Sequence, residues 1–139
     1  MLPFEVGAET DVVNYNGNNV LGVASAFGVF AEEDVGFNDA DLEARLACGG
    51  SANIGDTKYY STARCAGASV ICQGDFLKNF DTGDRLFAAG ENTKVHLSNA
   101  NVVRGDWIDF EQEFDMLEEL SSEFNKENNG SVVVNDNWK

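Results

Sequence analysis

Acidic side chains are abundant in this sequence, but its residues form no recognisable catalytic arrangement. Its single histidine, His96, lies in the segment 94–97, where alternation predicts an outward-facing strand position. Adjacent acids such as Glu32 and Glu33 are the residue type used for glycoside hydrolysis, but a chain with 24 acidic residues contains such pairs by chance. No nucleophile elbow or phosphate-binding loop occurs. We therefore expect no catalytic residue, no cofactor and a non-enzymatic role.

Metal ligands are also sparse. The three cysteines form no CxxC pair and are accompanied by only one histidine, so a zinc site is not expected. Asp75, Asn79, Asp81 and Asp84 are acidic or amide residues close together, but they lack the spacing of an EF-hand or a calcium β-roll. We interpret them as turn residues that hydrogen-bond to nearby backbone, and we expect no bound metal.

The charge of the chain excludes several partners. With 24 acidic and 9 basic residues, the formal net charge is −15. Nucleic acids and anionic membrane surfaces are bound mainly through basic side chains, so neither is an expected partner. No apolar run reaches the 18 residues needed to cross a bilayer, so no membrane insertion is expected. Residues 1–5 lack the basic head and apolar core of a secretory signal.

One short sequence motif recurs four times between residues 41 and 105: an apolar-biased run that ends in glycine. The glycines that end the four runs are Gly50, Gly74, Gly90 and Gly105. Strands closed by glycine at such intervals are typical of a β-solenoid, in which glycine would supply a positive φ at each corner. The alternative is a β-sandwich of short antiparallel strands with glycine turns. Either fold is mainly β, and 139 residues favour a single domain.

Cys48 and Cys72 occupy the same place in their repeats, two residues before the glycine. If these repeats stack as neighbours, the two side chains come within disulfide reach. The third cysteine, Cys65, would then be free or joined to another subunit. The alternative is that all three are buried thiols.

The C-terminal part of the sequence predicts one long helix over residues 109–128. Five apolar side chains recur at helical spacing and predict its core-facing stripe: Phe110, Phe114, Leu117, Leu120 and Phe124. The predicted order within domain 1–139 is therefore N-terminal strands over 1–40, glycine-cornered coils over 41–105, the helix, and a terminal strand over 131–138.

Residues 41–50, Asp-Leu-Glu-Ala-Arg-Leu-Ala-Cys-Gly-Gly, together with the small-residue run 21–30, resemble the opening of the choice-of-anchor A family of bacterial surface domains. The resemblance resumes at 107–110 and spans roughly residues 20–134. It implies a β-solenoid with one long helix packed along it, at the cell surface or outside the cell. Members of that family usually continue past this helix, so the resemblance also implies an unfinished coil or a fragment.

An unfinished coil would expose strand edges that another copy could cover, which leads to fibres. We therefore expect a structural protein that assembles with itself, with 11–15 and 131–138 as donated strands and Cys65 as a possible intersubunit link. The alternative is a monomeric adhesin that binds a host-matrix or glycan ligand. Ice binding is less favoured, because the chain has five threonines and no Thr-x-Thr array.

Overall fold

The computed structural model describes residues 12–37, 44–55, 66–78, 86–96 and 101–128. Within these residues the chain forms a 3-10 helix at Gly22–Ala26, a series of short strands and one long helix, α1, at Phe110–Asn128. The strands are β1 Val29–Ala31, β2 Val35–Gly36, β3 Leu46–Cys48, β4 Ala52–Gly55, β5 Val70–Cys72, β6 Phe76–Lys78, β7 Leu86–Ala89, β8 Val95–His96 and β9 Asn101–Arg104.

The strands alternate between two parallel sheets. The odd-numbered strands form a five-stranded sheet in the order β1-β3-β5-β7-β9, and the even-numbered strands form a four-stranded sheet in the order β2-β4-β6-β8. Every pairing between described strands is parallel. The fold is therefore mainly parallel β with one helix, as a solenoid-like chain path requires. The antiparallel pairing of the alternative sandwich is not what these strands form.

The main core lies between the two sheets. Side chains from equivalent strand positions stack in register, as Val29, Leu46 and Val70 do in the five-stranded sheet. They meet inward-facing side chains of the other sheet, where the rings of Phe76 and Phe87 lie 5.2 Å apart. The buried members of this cluster are Leu46, Cys48, Ala52, Ile54, Val70, Cys72, Phe76, Phe87 and Ala89.

A second core covers the opposite face of the five-stranded sheet. The residues at alternate positions, including Ala47, Ile71 and Ala88, point to this side. They pack against the start of α1, where Phe30 stacks on Phe110 at 5.2 Å between ring centroids. Helix α1 and the chain before β1 therefore occupy this face of the sheet.

Two N-terminal predictions were wrong. Within the segment 11–15, predicted as a strand, Val12 is helical, and its carbonyl accepts hydrogen bonds from Ala68 N and Arg45 Nη2 at 2.8 and 3.0 Å. Within the N-terminal strands predicted over 1–40, residues 22–26 form a 3-10 helix instead, which is followed by β1. Gly22 has a φ of +67° and begins this helix, which presents the backbone N–H of Val23 to Glu113 Oε1 at 2.9 Å.

Helix α1 matches the predicted span, but its stripe is buried only in part. Phe110 is 6% exposed and Phe114 packs against the second core, whereas Leu117 and Leu120 are half-buried. Phe124 is 60% exposed, so it does not belong to the core face. The contacts of α1 with the sheet are made by its first two turns, and the periodic stripe continues beyond them.

The corner glycines are required for a reason other than the predicted one. Positive φ values occur at Gly17, Gly22 and Gly67 among the described glycines, and at none of the four corner glycines. A Cβ at Gly90 would collide with the carbonyl of Gln73 in the preceding coil. Close approach of stacked backbones, and not a left-handed corner, therefore selects glycine there.

The register also corrects the alignment of the repeats. Val70 pairs with Phe87 and Phe87 with Val102, which places Gly90 and Gly105 in one column with Gly49, whereas Gly74 aligns with Gly50. The corner at Gly90–Lys94 is two residues longer than the corners 49–51 and 73–75. The four glycines thus occupy two adjacent register positions of the stacked strands, Gly50 and Gly74 in one and Gly90 and Gly105 in the other.

Candidate functional site

The outer face of the four-stranded sheet is the part of the stack that α1 leaves uncovered. Its strands alternate between a side chain in the main core and a side chain pointing outward. The outward residues lie in one register column, Gly36, Asn53, Leu77 and His96. Leu77 is half-buried and the other three are exposed. We refer to these four residues as the open face.

Backbone hydrogen bonds hold the coils together along one edge of the open face. The residues immediately before the four even-numbered strands are Asp34, Ser51, Asp75 and Lys94. Val35 N donates to Ser51 O at 2.9 Å, and the same bond recurs one coil further, from Ala52 N to Asp75 O. These bonds therefore fix the start of each strand of the open face relative to the start of the neighbouring strand.

Side chains of the same residues add a second set of bonds. Ser51 N donates to Asp34 Oδ1 at 2.8 Å, and Asp75 N donates to Ser51 Oγ at 3.0 Å. Lys94 N then donates to Asp75 Oδ1 at 2.9 Å. The carboxylates of Asp34 and Asp75 thus bind backbone N–H groups of the next coil. Asp75 was predicted to hydrogen-bond to nearby backbone as a turn residue. That prediction was wrong in its partner, because the backbone group it binds belongs to a residue 19 positions away in the next coil.

A profile of protein families matches residues 20–139, under the description "Putative Ice-binding-like adhesive domain". The chain belongs to this family. Comparison with curated proteins and with solved structures finds no significant match. The family match supports a surface-associated adhesive domain, which the sequence indicated as the alternative to fibre assembly, and it does not single out the choice-of-anchor A family. No helix within the described ranges is long and apolar enough to cross a membrane.

In this adhesive domain, Gln73 joins the five-stranded sheet to the start of α1. Its Oε1 accepts a hydrogen bond from Trp107 N at 3.0 Å, and its Nε2 donates to Gly105 O at 3.3 Å. The indole Nε1 of Trp107 donates to Ala89 O at 3.1 Å. These bonds line an opening of about 510 Å³ beside the helix start. Because the Gln73 amide and the Trp107 N–H groups beside this opening are already hydrogen-bonded within the protein, we assign these two residues a structural role.

Sequence reasoning missed Gln73. The available signal was its place in the repeat, because Gln73 stands where the previous coil has Gly49. A long amide at a position otherwise occupied by glycine indicates a side chain that reaches across to another element.

Cys48 and Cys72 are register partners on β3 and β5, and both are buried free thiols. Burial raises the pKa of each thiol to about 12, and proximity to Cys72 contributes to the shift at Cys48. Each thiol donates to the carbonyl two residues later, Cys48 to Gly50 and Cys72 to Gly74. The two predicted partners are thus brought together in the main core, while a disulfide between them stays a prediction.

The remaining predicted site residues divide into two groups. His96 occupies the outward, exposed strand position that alternation predicted. Cys65 and the strand predicted over 131–138 lie outside the described residues. Asp11 is also outside them, but its neighbour Val12 is packed in the second core of its own chain.

Proposed function

We propose that this chain is a non-enzymatic adhesive domain of a cell-surface or extracellular protein, and that the open face is its adhesive surface. The family match supports the adhesive role. The observation that carries the choice of surface is the asymmetry of the two sheets, since α1 packs on the outer side of one and leaves the other uncovered. In this proposal the chain path is a β-solenoid of the kind implied by the choice-of-anchor A resemblance.

The open face suits contact with an extended ligand. Its strands are fixed on the inner side by the main core and along the edge by the bonds of Ser51 and Asp75. A rigid surface favours binding, because it loses little conformational entropy on association. Its outward column carries no carboxylate, in a chain of net charge −15. It also contains no threonine, which makes ice a less favoured ligand.

The test is adhesion of the purified domain to surfaces coated with collagen, fibronectin or neutral polysaccharide. Asn53→Trp places a large ring in the middle of the open face, at an exposed position. The matched control is Gln112→Trp, which places the same ring at an exposed position on α1. We expect Asn53→Trp to lower adhesion at least about tenfold and Gln112→Trp to leave it unchanged. Equal adhesion by both variants would reject the open face as the adhesive surface.

A second candidate is self-assembly into fibres. Among the described strands, β1 and β9 each pair with one neighbour in the five-stranded sheet, so each has an edge to which another copy could add a strand. The N-terminal segment is a poor donor for this purpose, because Val12 is buried in its own chain. Negative-stain electron microscopy with and without reducing agent tests the idea. Filaments would support it, and uniform small particles under both conditions would reject it.

A further inference from the structure

The stretch from Val12 to Ala31 contains no charged residue, although 24% of the whole chain is charged. Its first half is rich in asparagine and contains Tyr15. This neutral segment forms the wall of a cavity of about 400 Å³. The residues that line the cavity are Asn14, Tyr15, Asn16, Asn18, Asn19 and Ser25, with Ala26. We refer to it as the asparagine cavity.

Several internal hydrogen bonds hold the asparagine cavity in shape. Asn18 N donates to Asn16 Oδ1 at 3.0 Å, and Leu21 N donates to Asn19 Oδ1 at 2.9 Å. The hydroxyl of Tyr15 accepts from Asn19 N at 3.1 Å and donates to Asn19 O at 3.2 Å. The Tyr15 ring is therefore fixed across the loop by its own hydroxyl. A preformed site of this kind avoids the entropy cost of ordering a loop when a ligand binds.

Other polar groups of the cavity take no part in these bonds. Within the described part of the chain, no hydrogen bond engages the side-chain amide of Asn18, the Nδ2 of Asn16 or the Nδ2 of Asn19. The Asn18 amide therefore offers two N–H donors and a carbonyl acceptor, and the Nδ2 groups of Asn16 and Asn19 offer two N–H donors each. A sugar hydroxyl is likewise both donor and acceptor, so neighbouring hydroxyls on a ring match a cluster of amides.

Charged ligands fit the cavity less well. None of its lining side chains is ionisable apart from the Tyr15 phenol. Among the described residues, the guanidinium of Arg45 donates to the carbonyl of Ala26, which lines the cavity, and to those of Ala68 and Val12, and it lies over the ring of Phe27. Carboxylates and phosphates are usually held by charge-assisted bonds, and the lining side chains offer no cation to form one.

We propose that the asparagine cavity is a binding site for a neutral carbohydrate. The amides of Asn16, Asn18 and Asn19 would bind ring hydroxyls, and the Tyr15 ring would pack against the apolar C–H face of the sugar. The cavity volume is within the roughly 300–1,000 Å³ typical of small-ligand sites. This inference rests on the proposed adhesive function, for which it names a ligand class and a second surface. A single sugar unit should bind with a dissociation constant on the order of 1 mM.

The test is titration of the isotopically labelled protein with methyl glycosides of glucose, mannose, galactose and N-acetylglucosamine, followed by ¹H–¹⁵N NMR. We expect saturable shifts for at least one sugar, confined to residues 14–26 and including asparagine side-chain amides. Asn18→Ala removes a side-chain amide that makes no described bond and should weaken binding at least about fivefold. Asn125→Ala, at an exposed position on α1, is the matched control and should not alter binding.

Three outcomes would overturn the proposal. These are no saturable shift for any of the sugars, shifts that Asn18→Ala leaves unchanged, and equal shifts with glycerol or with N-acetylglycine amide as a neutral peptide probe. The adhesion experiment with Asn53→Trp separates the two proposals. If adhesion depends on Asn53 while no sugar binds, the cavity proposal fails and the adhesive function stands. If sugars bind and Asn53→Trp adheres normally, the open face is rejected and the cavity is retained.

Discussion

At the scale of single residues, the two buried cysteines make the stability of the main core depend on pH. Cys48 and Cys72 lie side by side within it, and burial is the main cause of the raised pKa of each thiol, which Arg104 offsets only in part at Cys72. Thiols with a pKa of about 12 stay protonated at neutral pH and react slowly, since the thiolate is the reactive form. These two residues therefore behave as small apolar side chains.

The raised pKa values predict a loss of stability in alkali. The native state keeps protons on both thiols up to about pH 12, whereas an unfolded thiol with its ordinary pKa near 9 releases its proton earlier. The contribution of the pair is therefore fully present below about pH 9 and is lost as the pH rises to 12. Urea unfolding at a series of pH values should show this decline.

The variant Cys48→Ala/Cys72→Ala isolates the effect, because tyrosine and lysine titrate in the same range. The variant should be less stable at neutral pH but should show a shallower decline above pH 9. An identical slope in both proteins would contradict the assignment to these thiols.

A second prediction at this scale concerns the corner glycines. Gly90→Ala should destabilise the fold by about 1–3 kcal/mol, because the new Cβ would press on the Gln73 carbonyl of the adjacent coil. Gly36→Ala is the matched control, since its nearest atom is Asn53 O at 3.6 Å, an ordinary contact. Chemical denaturation of both variants gives the comparison. Equal losses would show that close approach of the coils is not what requires glycine.

At the scale of elements, helix α1 is anchored at one end. Asp109 Oδ1 accepts a hydrogen bond from Gln112 N at 3.0 Å and caps the first turn. Phe110 and Phe114 lie against Phe30, with ring centroids 5.2 and 5.3 Å from it. Along the later turns the stripe is only half-buried up to Leu120. The free energy of docking should therefore be concentrated in the first two turns.

Two truncations test this distribution. Phe110→Ala should cost about 3–5 kcal/mol, as expected for a buried phenylalanine. Phe124→Ala, at a position 60% exposed, should change the free energy of unfolding by less than about 1 kcal/mol. Thermal and urea unfolding provide the measurements. A larger loss for Phe124→Ala than for Phe110→Ala would contradict the docking described above.

The elements differ in how well the sequence predicts them. The span of α1 follows from its periodicity, and four of the odd-numbered strands, β3, β5, β7 and β9, follow from apolar runs that end near glycine. Alternation placed His96 correctly, but the even-numbered strands were not predicted as a set, because strands of two to four residues such as Val35–Gly36 give too little alternation to indicate a sheet. Periodicity also predicts which side of a helix is apolar but not where its partner surface ends, which explains the error at Phe124. The open face could not be predicted from the sequence either, because these short strands form it.

At the scale of the whole molecule, the net charge of −15 predicts a strong dependence on salt. Like charges repel one another most in the compact state, and salt screens them over a Debye length that falls from about 30 Å at 0.01 M to about 8 Å at 0.15 M. The midpoint of thermal unfolding should therefore rise over this range. Glu118→Gln/Glu119→Gln, at exposed positions of α1, should show a smaller rise. A midpoint that falls with added salt would contradict this account.

The connections between strands divide into two classes that differ in how much their length can vary. Among those from an odd to an even strand, 32–34, 49–51 and 73–75 share one length and 90–94 is two residues longer. These connections carry bonds that fix the coils against each other. Those from an even to the next odd strand, 37–45, 56–69, 79–85 and 97–100, all differ, which accounts for the uneven intervals between the repeated glycines. Insertions and deletions can accumulate in the second class during evolution without shifting any strand pair. These connections are accordingly the places where a foreign peptide could be grafted for display.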